Sequence, residues 1–318
     1  MHGAGARFFS DALTIHSMKA VYTLEDLVSR EVLDAGASKP ARLAVLGWPI
    51  AHSASPRMHQ PALDVNGIDA RYIRLEVEPG KISEAFSGMR ALGFIGCNVT
   101  VPHKLNALEN CTVVHPDAVA LGAVNTVRFD QDETRGFNTD GPGFARAIED
   151  DFGIPLHSLR VAIAGAGGGA GQAIAMQCVQ MGVKKLVLVN RTLEKLGPLA
   201  DRLNQMNGSA SVRVLSFEYA DLEEECRSCD LIVNTSSVGL KTGDDSILPA
   251  SCLKPSHLVY DTIYQPPVTP LLLLAQEQGC RTSNGFSMLL HQGALAFQHW
   301  FPNTDPLAVM RAALTQRA

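Results

Sequence analysis

The chain has 318 residues, of which 46% are hydrophobic and 19% charged, with 17 prolines; this is the balance of a globular protein and excludes a disordered or collagen-like one. Such a length exceeds one ordinary domain and suits two. A net charge of −5, from 27 basic and 32 acidic residues, offers no general attraction to nucleic acid or an anionic membrane, so an anionic ligand must be held by local groups.

The first stretch, MHGAGARFFSDALTIHSMK, has no continuous apolar core and is interrupted by Asp11 and His16, so it does not read as a signal peptide. One helix is predicted from Leu24 to Leu33, with Thr23 and Asp26 in capping-box positions and Gly36 beyond its end. From residue 43 short apolar runs alternate with helical periodicity, which predicts an α/β fold with parallel strands. LAVLG (43–47), YIRLEV (72–77) and FIGCNVT (94–100) read as strands, with helices starting near Pro56, Ile82 and Pro102. GFNTDGPGF (136–144) combines a strand end with turn residues and marks a junction. A second series follows: RVAIAG (160–165), KLVLVN (185–190), VRVLSF (212–217), DLIVNT (230–235) and LVYDT (258–262). Val161 to Val183 carries no charge, yet its glycines and glutamines fit a strand, turn and helix and not a membrane span. SMLLHQGALAFQHW (287–300) has helical spacing and predicts a docking helix stopped by Pro302 and Pro306.

Seven cysteines without regular spacing argue against a disulfide scaffold and for a reducing cytoplasm. Cys226 and Cys229 form a lone CxxC, and no metal site is expected. HExxH, G-x-S-x-G and Walker patterns are absent from the sequence.

Gly165, Gly167 and Ala170 give the G-x-G-x-x-A form between a strand and a helix, where a tight turn and bare backbone let a pyrophosphate reach the helix N-terminus. A flexible glycine linker is the bland alternative, but linkers are not framed by apolar strand and helix residues. The next strand ends in Asn190, followed by Arg191, Thr192 and Lys195; two cations nearby and no acid at the strand end itself suit the 2′-phosphate of NADP(H). Against this stands an ordinary solvated arginine and a Thr192 cap. Lys104 in a first helical turn opposes the helix dipole, an unfavourable placement that invites a functional reading, although a lysine snorkelling to water would look the same. Asp140 lies at the junction, able to meet Lys104 or to cap a helix. Ser53 and Ser55 follow the first strand at its carboxyl end, the ligand side of an open α/β sheet, and Ser55 before Pro56 is also a good N-cap.

Together the strings GWPIAHSASPRMH (47–59), GCNVTVPHK (96–104), LGAVNTV (121–127), GFNTDGPGF, VNRT (189–192), YDTIYQPPVTPLL (260–272) and NGFSMLLHQGALAF (284–297) resemble the shikimate dehydrogenase family, in family order from about residue 43 to 300. The resemblance implies a two-domain α/β fold: an N-terminal substrate domain (1–139, with 1–40 an extension outside the family core), completed by C-terminal helices at 286–318, and a Rossmann-type NADP-binding domain at 140–285. It implies NADPH-dependent, reversible reduction of 3-dehydroshikimate to shikimate on the way to chorismate and the aromatic amino acids. Lys104 and Asp140 would be the catalytic pair; Ser53, Ser55, Thr100, Asn125, Tyr264 and Gln292 would hold substrate. Gly165, Ala166, Gly167, Gly168, Gly169, Asn190, Arg191, Thr192, Lys195, Thr262 and Gly285 would line the cofactor site. A small-molecule substrate, no nucleic acid or membrane partner, and a monomer or homodimer are expected. The chain departs from the family pattern at Gln60, at NTSSVGL (234–240) and at Gly169. The rival readings are a quinate/shikimate dehydrogenase using NAD, a non-catalytic NADP or metabolite sensor on the same fold, and, more remotely, another two-domain dehydrogenase.

Overall fold

The computed structural model describes residues 18–206 and 210–316, so the reading of the first seventeen residues lies outside the described ones. Two six-stranded sheets follow one another along the chain. The first holds β1 (Ala41–Gly47), β2 (Arg71–Glu76), β3 (Gly96–Val99), β4 (Val113–Val114), β5 (Thr126–Phe129) and β6 (Thr134–Phe137), in the order β2-β1-β3-β5-β6-β4. Its helices are α1 (Arg30–Leu33), α2 (Ser55–Val65), α3 (Ile82–Ala91), α4 (Lys104–Glu109) and α5 (Pro116–Leu121). After α6 (Asp140–Phe152) comes the second sheet, of β7 (Arg160–Ala164), β8 (Lys185–Val189), β9 (Ser211–Leu215), β10 (Leu231–Asn234), β11 (Leu258–Asp261) and β12 (Arg281–Asn284). Its order is β12-β11-β10-β7-β8-β9 and every pairing is parallel. Helices α7 (Gly169–Gln180), α8 (Gly197–Gln205), α9 (Leu222–Arg227) and α10 (Pro270–Glu277) connect it, and α11 (Phe286–Trp300) and α12 (Leu307–Thr315) follow. This is the doubly wound arrangement of dinucleotide-binding folds, with β7 central and its glycine turn at the carboxyl end of the strands.

Strand β1 explains why the apolar runs are continuous and not alternating. Leu43 and Val45 face one side of the sheet, where Tyr72, Met58 and Ala62 meet Leu290, Ala294, Phe297 and Trp300 of α11. Ala44 and Leu46 face the other, packed with Ile73, Leu75, Phe86 and Met89. A strand covered on both faces has no solvent side to keep polar. The Trp300 indole N–H donates to the Val127 carbonyl at 2.9 Å, and Gly96 leaves room for it, since a Cβ there would lie 2.4 Å from Trp300 Nε1.

Four expectations change. The first sheet is mixed: β5 runs antiparallel to both β3 and β6. These four-residue strands, TVRF and TRGF, carry Arg128 and Arg135, so no apolar run announces them. The Leu24–Leu33 segment is a 3₁₀ turn (Leu24–Val28) and then α1, separated by Ser29 in extended backbone (φ −158°, ψ 162°). The Ser29 hydroxyl accepts from the Val32 N–H at 3.3 Å and so caps a second start in mid-segment; the expected Asp26 capping bond to the Thr23 N–H forms at 2.9 Å. Helix α4 begins at Lys104 and not at Pro102, because His103 N–H closes a turn onto Thr100 O at 2.9 Å. Finally, Ser55 is the first residue of α2 and Ala54 holds the cap position.

Candidate active site

A cleft of about 410 Å³ opens where the carboxyl ends of β1 and β3 face α6, α11 and the loop after β11. All eight residues expected in catalysis or substrate binding line it: Ser53, Ser55, Thr100, Lys104, Asn125, Asp140, Tyr264 and Gln292. Its lining includes Lys104 and no arginine.

Lys104 Nζ donates to Asp140 Oδ2 at 2.5 Å, and both side chains are largely shielded, 22% and 11% exposed. Local chain chemistry aims the carboxylate. Asp140 opens α6, and its N–H donates to Asn138 Oδ1 at 3.0 Å, so the asparagine of the NTD string makes the turn that starts the helix. Asn125 Nδ2 donates to Asp140 Oδ1 at 2.8 Å. The Asn125 Oδ1 in turn accepts from Thr139 N–H at 2.9 Å and Thr126 Oγ1 at 2.9 Å. With every neighbour satisfied, the amide cannot rotate without breaking several bonds.

Ser53 Oγ accepts from the Ser55 N–H at 3.3 Å and donates to Ser55 Oγ at 3.2 Å, and no side chain caps α2 from the Ala54 position. Arg74 fixes the loop from below by donating twice to Ser53 O, at 3.0 and 2.8 Å. Asn98 is a lining residue that the sequence reading did not single out. Tyr72 OH donates to its Oδ1 at 2.7 Å and its Nδ2 donates to Thr126 Oγ1 at 3.2 Å. The signal was its position two residues before Thr100 at the same strand end.

The far wall comes from beyond the parallel sheet. Asp261 is fully buried under the Thr262–Tyr264 loop and accepts from Ile263 N–H (3.0 Å), Thr269 Oγ1 (2.6 Å) and Asn234 Nδ2 (3.1 Å). Burial outweighs those bonds and raises its carboxyl above the ordinary range. Burial also raises the Tyr264 phenol, which stays a protonated donor at neutral pH. Gln292 Nε2 is committed to Leu289 O at 2.8 Å, leaving its carbonyl oxygen for the cleft. Gly143 explains the GPGF string: a Cβ there would lie 2.8 Å from the Gln292 backbone nitrogen, so only glycine lets α6 and α11 come this close. Gly285 is needed for the same reason, with Thr262 O at 1.9 Å from its Cβ position. Thr262 and Gly285, expected at the cofactor, line this cleft.

A second cavity of about 450 Å³ is lined by Gly165, Gly167, Gly168, Asn190, Arg191, Thr192 and Lys195, with Phe217, Ser236, Ser237, Val238 and Ile247. The last five were not named as cofactor-binding residues; Phe217 follows β9, Ser236 to Val238 follow β10, and Ile247 lies in the loop beyond, positions that topology brings together. Ala166 is buried beneath the turn, and Gly169 starts α7 with open space where its Cβ would be. Gly165 (φ 82°) has left-handed backbone and a Cβ position 2.8 Å from Ser236 N. The residues fit a dinucleotide: bare backbone at the turn, the unpaired N–H groups of the first turn of α7, and two cations with no carboxylate in the cavity lining. Asn190 Nδ2 donates to Thr192 O at 2.8 Å and holds that cationic loop in shape. Among the described residues no cluster of three or more His, Cys, Asp or Glu could hold a metal, and no helix is long and apolar enough to cross a membrane.

Comparison with known proteins agrees with this geometry. A family model described as the shikimate dehydrogenase substrate binding domain matches residues 45–127, and one for the shikimate 5′-dehydrogenase C-terminal domain matches residues 285–315. The shikimate dehydrogenase (NADP(+)) of Moorella thermoacetica is 39% identical over 275 residues, 86% of this chain and 92% of its own length. That of Methanopyrus kandleri is 36% identical over 276 residues, 86% of this chain and 94% of its own. The crystal structure of shikimate 5-dehydrogenase from Thermus thermophilus in complex with NADP(H) and shikimate matches with a TM-score of 0.76 and 34% identity, over 86% of this chain and 98% of that one. The chain belongs to the shikimate dehydrogenase family.

Proposed function

We propose that the protein catalyses the reversible, NADPH-dependent reduction of 3-dehydroshikimate to shikimate, in the pathway to chorismate. The observation that carries this reading is the shielded Lys104–Asp140 pair, 2.5 Å apart, in a cleft of neutral hydrogen-bond donors beside a dinucleotide-type glycine turn. NADP(H), when bound, supplies or takes the hydride. The Lys104 ammonium gives its proton to the oxygen of the carbonyl being reduced, and the amine takes it back in the reverse direction. Asp140 holds that ammonium in place, and Asn125 holds Asp140. Residues 1–139 with 286–318 would form the substrate unit and 140–285 the cofactor unit, a division supported by the two separate sheets. A reducing, cytoplasmic setting fits the seven free cysteines. The direct test mixes purified protein with shikimate and NADP⁺ and follows NADPH absorbance. Parallel reactions with quinate and with NAD⁺ discriminate the rivals: faster turnover in either arm overturns the assignment.

The carboxylate of the substrate would be held by Ser53, Ser55 and Tyr264, since no arginine lines the cleft. Ser53→Ala and Ser55→Ala are each expected to cost ~1.5–3 kcal/mol in kcat/KM for shikimate, the worth of a hydrogen bond to a charged group. Quinate, with an added hydroxyl at the carboxylate-bearing carbon, should be a poor substrate. Wild-type kinetics in both serine variants would return these hydroxyls to a purely structural role. For the cofactor, Arg191→Ala is expected to weaken NADP(H) by roughly 1.5–3 kcal/mol and to spare NAD(H). Equal losses for both dinucleotides would mean that Arg191 does not read the 2′-phosphate.

A further inference from the structure

Arg202, on α8, spends its guanidinium entirely on neutral oxygens. Nε donates to Pro198 O at 3.3 Å within its own helix, Nη1 to Leu121 O at 3.0 Å, and Nη2 to Gln172 Oε1 at 2.8 Å. Leu121 is the last residue of α5, which belongs with the first sheet; Gln172 lies in the first turn of α7, under the glycine turn. Gln172 passes the contact on, its Nε2 donating to Gly167 O at 3.1 Å. An unbroken chain of hydrogen bonds thus runs from the carboxyl end of α5, through Arg202 and Gln172, to the backbone of the cofactor turn.

The end of that chain matters because of what it fixes. The peptide between Gly167 and Gly168 is planar, so its carbonyl and its N–H are oriented together. The N–H of Gly168 donates to Gly165 O at 3.1 Å, and the carbonyl of Gly167 accepts from Gln172. Neither glycine has a side chain to restrict it, and glycine backbone is the costliest to order. With the peptide tied at both ends, the N–H groups at the start of α7 keep one direction. A free amide at Gln172 would have two faces to offer, but Arg202 can only donate, so it selects the orientation in which Oε1 faces the guanidinium and Nε2 faces Gly167.

We propose that Arg202 and Gln172 are positioning residues for NADP(H): a strut that pre-orders the glycine turn against the end of α5, without touching substrate. It rests on the reading of that turn as the dinucleotide site. The test is a double-mutant cycle of Arg202→Met, Gln172→Met and the pair in the full-length protein, with the NADPH Kd read by fluorescence titration and shikimate and NADP⁺ kinetics alongside. Each single variant is expected to raise the NADPH Kd roughly 3- to 10-fold, the loss of one or two ordinary hydrogen bonds, and the pair no more than the larger single, because they break the same chain. The shikimate KM and kcat should stay within about twofold of wild type, a split that general loosening of the fold would not produce. Arg202→Lys, which keeps the charge and loses the fork, should behave like Arg202→Met. The strut is overturned by a wild-type Kd in Gln172→Met, by effects that multiply in the pair, by an equal rise in shikimate KM, or by full recovery in Arg202→Lys. Failure of the wild-type protein itself to bind NADPH would instead overturn the dinucleotide reading.

Discussion

Lys104→Ala is expected to lower kcat by ~10²–10⁴ fold, the worth of a positioned general acid–base group, while NADPH binds as before. Lys104 is the cation of a cleft otherwise lined by neutral donors, apolar groups, His52 and the Asp140 carboxylate. Truncation therefore removes the proton donor and also leaves Asp140 without its counter-charge where the substrate oxygen has to sit. The cofactor cavity does not include Lys104, which is why affinity for NADPH serves as the internal control. Stopped-flow or steady-state turnover of shikimate at saturating NADP⁺ measures the first quantity and fluorescence titration the second. Turnover near the wild-type rate would take Lys104 out of the chemistry.

The second large effect is on stability in acid, and it comes from His59. Its ring is fully buried, stacked on Tyr72 at 4.5 Å between centroids and 6° between planes, with Phe297 and Trp300 close by. Neither ring nitrogen has a hydrogen-bond partner, and burial pushes the imidazole down to about 3 from 6.5. The unfolded chain binds a proton at this side chain below pH 6.5, whereas the folded one refuses it until about pH 3. In that window the unfolded state holds more protons, so stability falls as pH falls. At about 1.4 kcal/mol per unit the full loss approaches roughly 5 kcal/mol, a large share of a typical folding free energy. Urea titrations between pH 7 and 4 should show the midpoint dropping. His257 and His299 are each held down to about 4 and add to the slope, so the decisive comparison is with His59→Phe, which keeps the stack and cannot protonate. Identical pH profiles for the two proteins would exclude His59 as the source.

Most of the parallel framework was legible because strands covered on both faces must be apolar along their buried length, as β1, β7 and β8 are once past Arg42, Arg160 and Lys185 at their starts. The β5 and β6 strands were not, since their pattern alternates with arginine and their pairing is decided by partners distant in sequence. Ser55 was misjudged as a cap for a related reason. Two serines flank Ala54, and nothing in their order says which hydroxyl turns back to the backbone; the geometry makes it Ser53. Lys104, Asp140 and the glycine turn stood out because each breaks a local rule, a cation at a helix start or glycines between apolar runs. Asn98 breaks none, being a polar residue at the end of a strand; its only signal was its place two residues before Thr100, and the sheet sets it beside Thr100 and Asn125. Ser236 and Phe217 were hidden likewise, since the order of strands in a sheet is not written in any one segment; Ser237 stood out only as a departure from the family pattern in NTSSVGL.

On the ribosome, α11 emerges after every strand of both sheets. Until it does, Leu43, Val45, Met58 and Tyr72 have no roof, and the Val127 carbonyl lacks the Trp300 indole that will cap it. The earlier-made sheet therefore shows a bare apolar face after all its strands have been made, the kind of surface that chaperones hold and that aggregates in their absence. Gln292 rides on the same helix. A nascent chain halted before residue 286 would consequently carry Lys104 and Asp140 yet possess no closed substrate cleft, so activity arrives in a single late step of synthesis and never in a partial product.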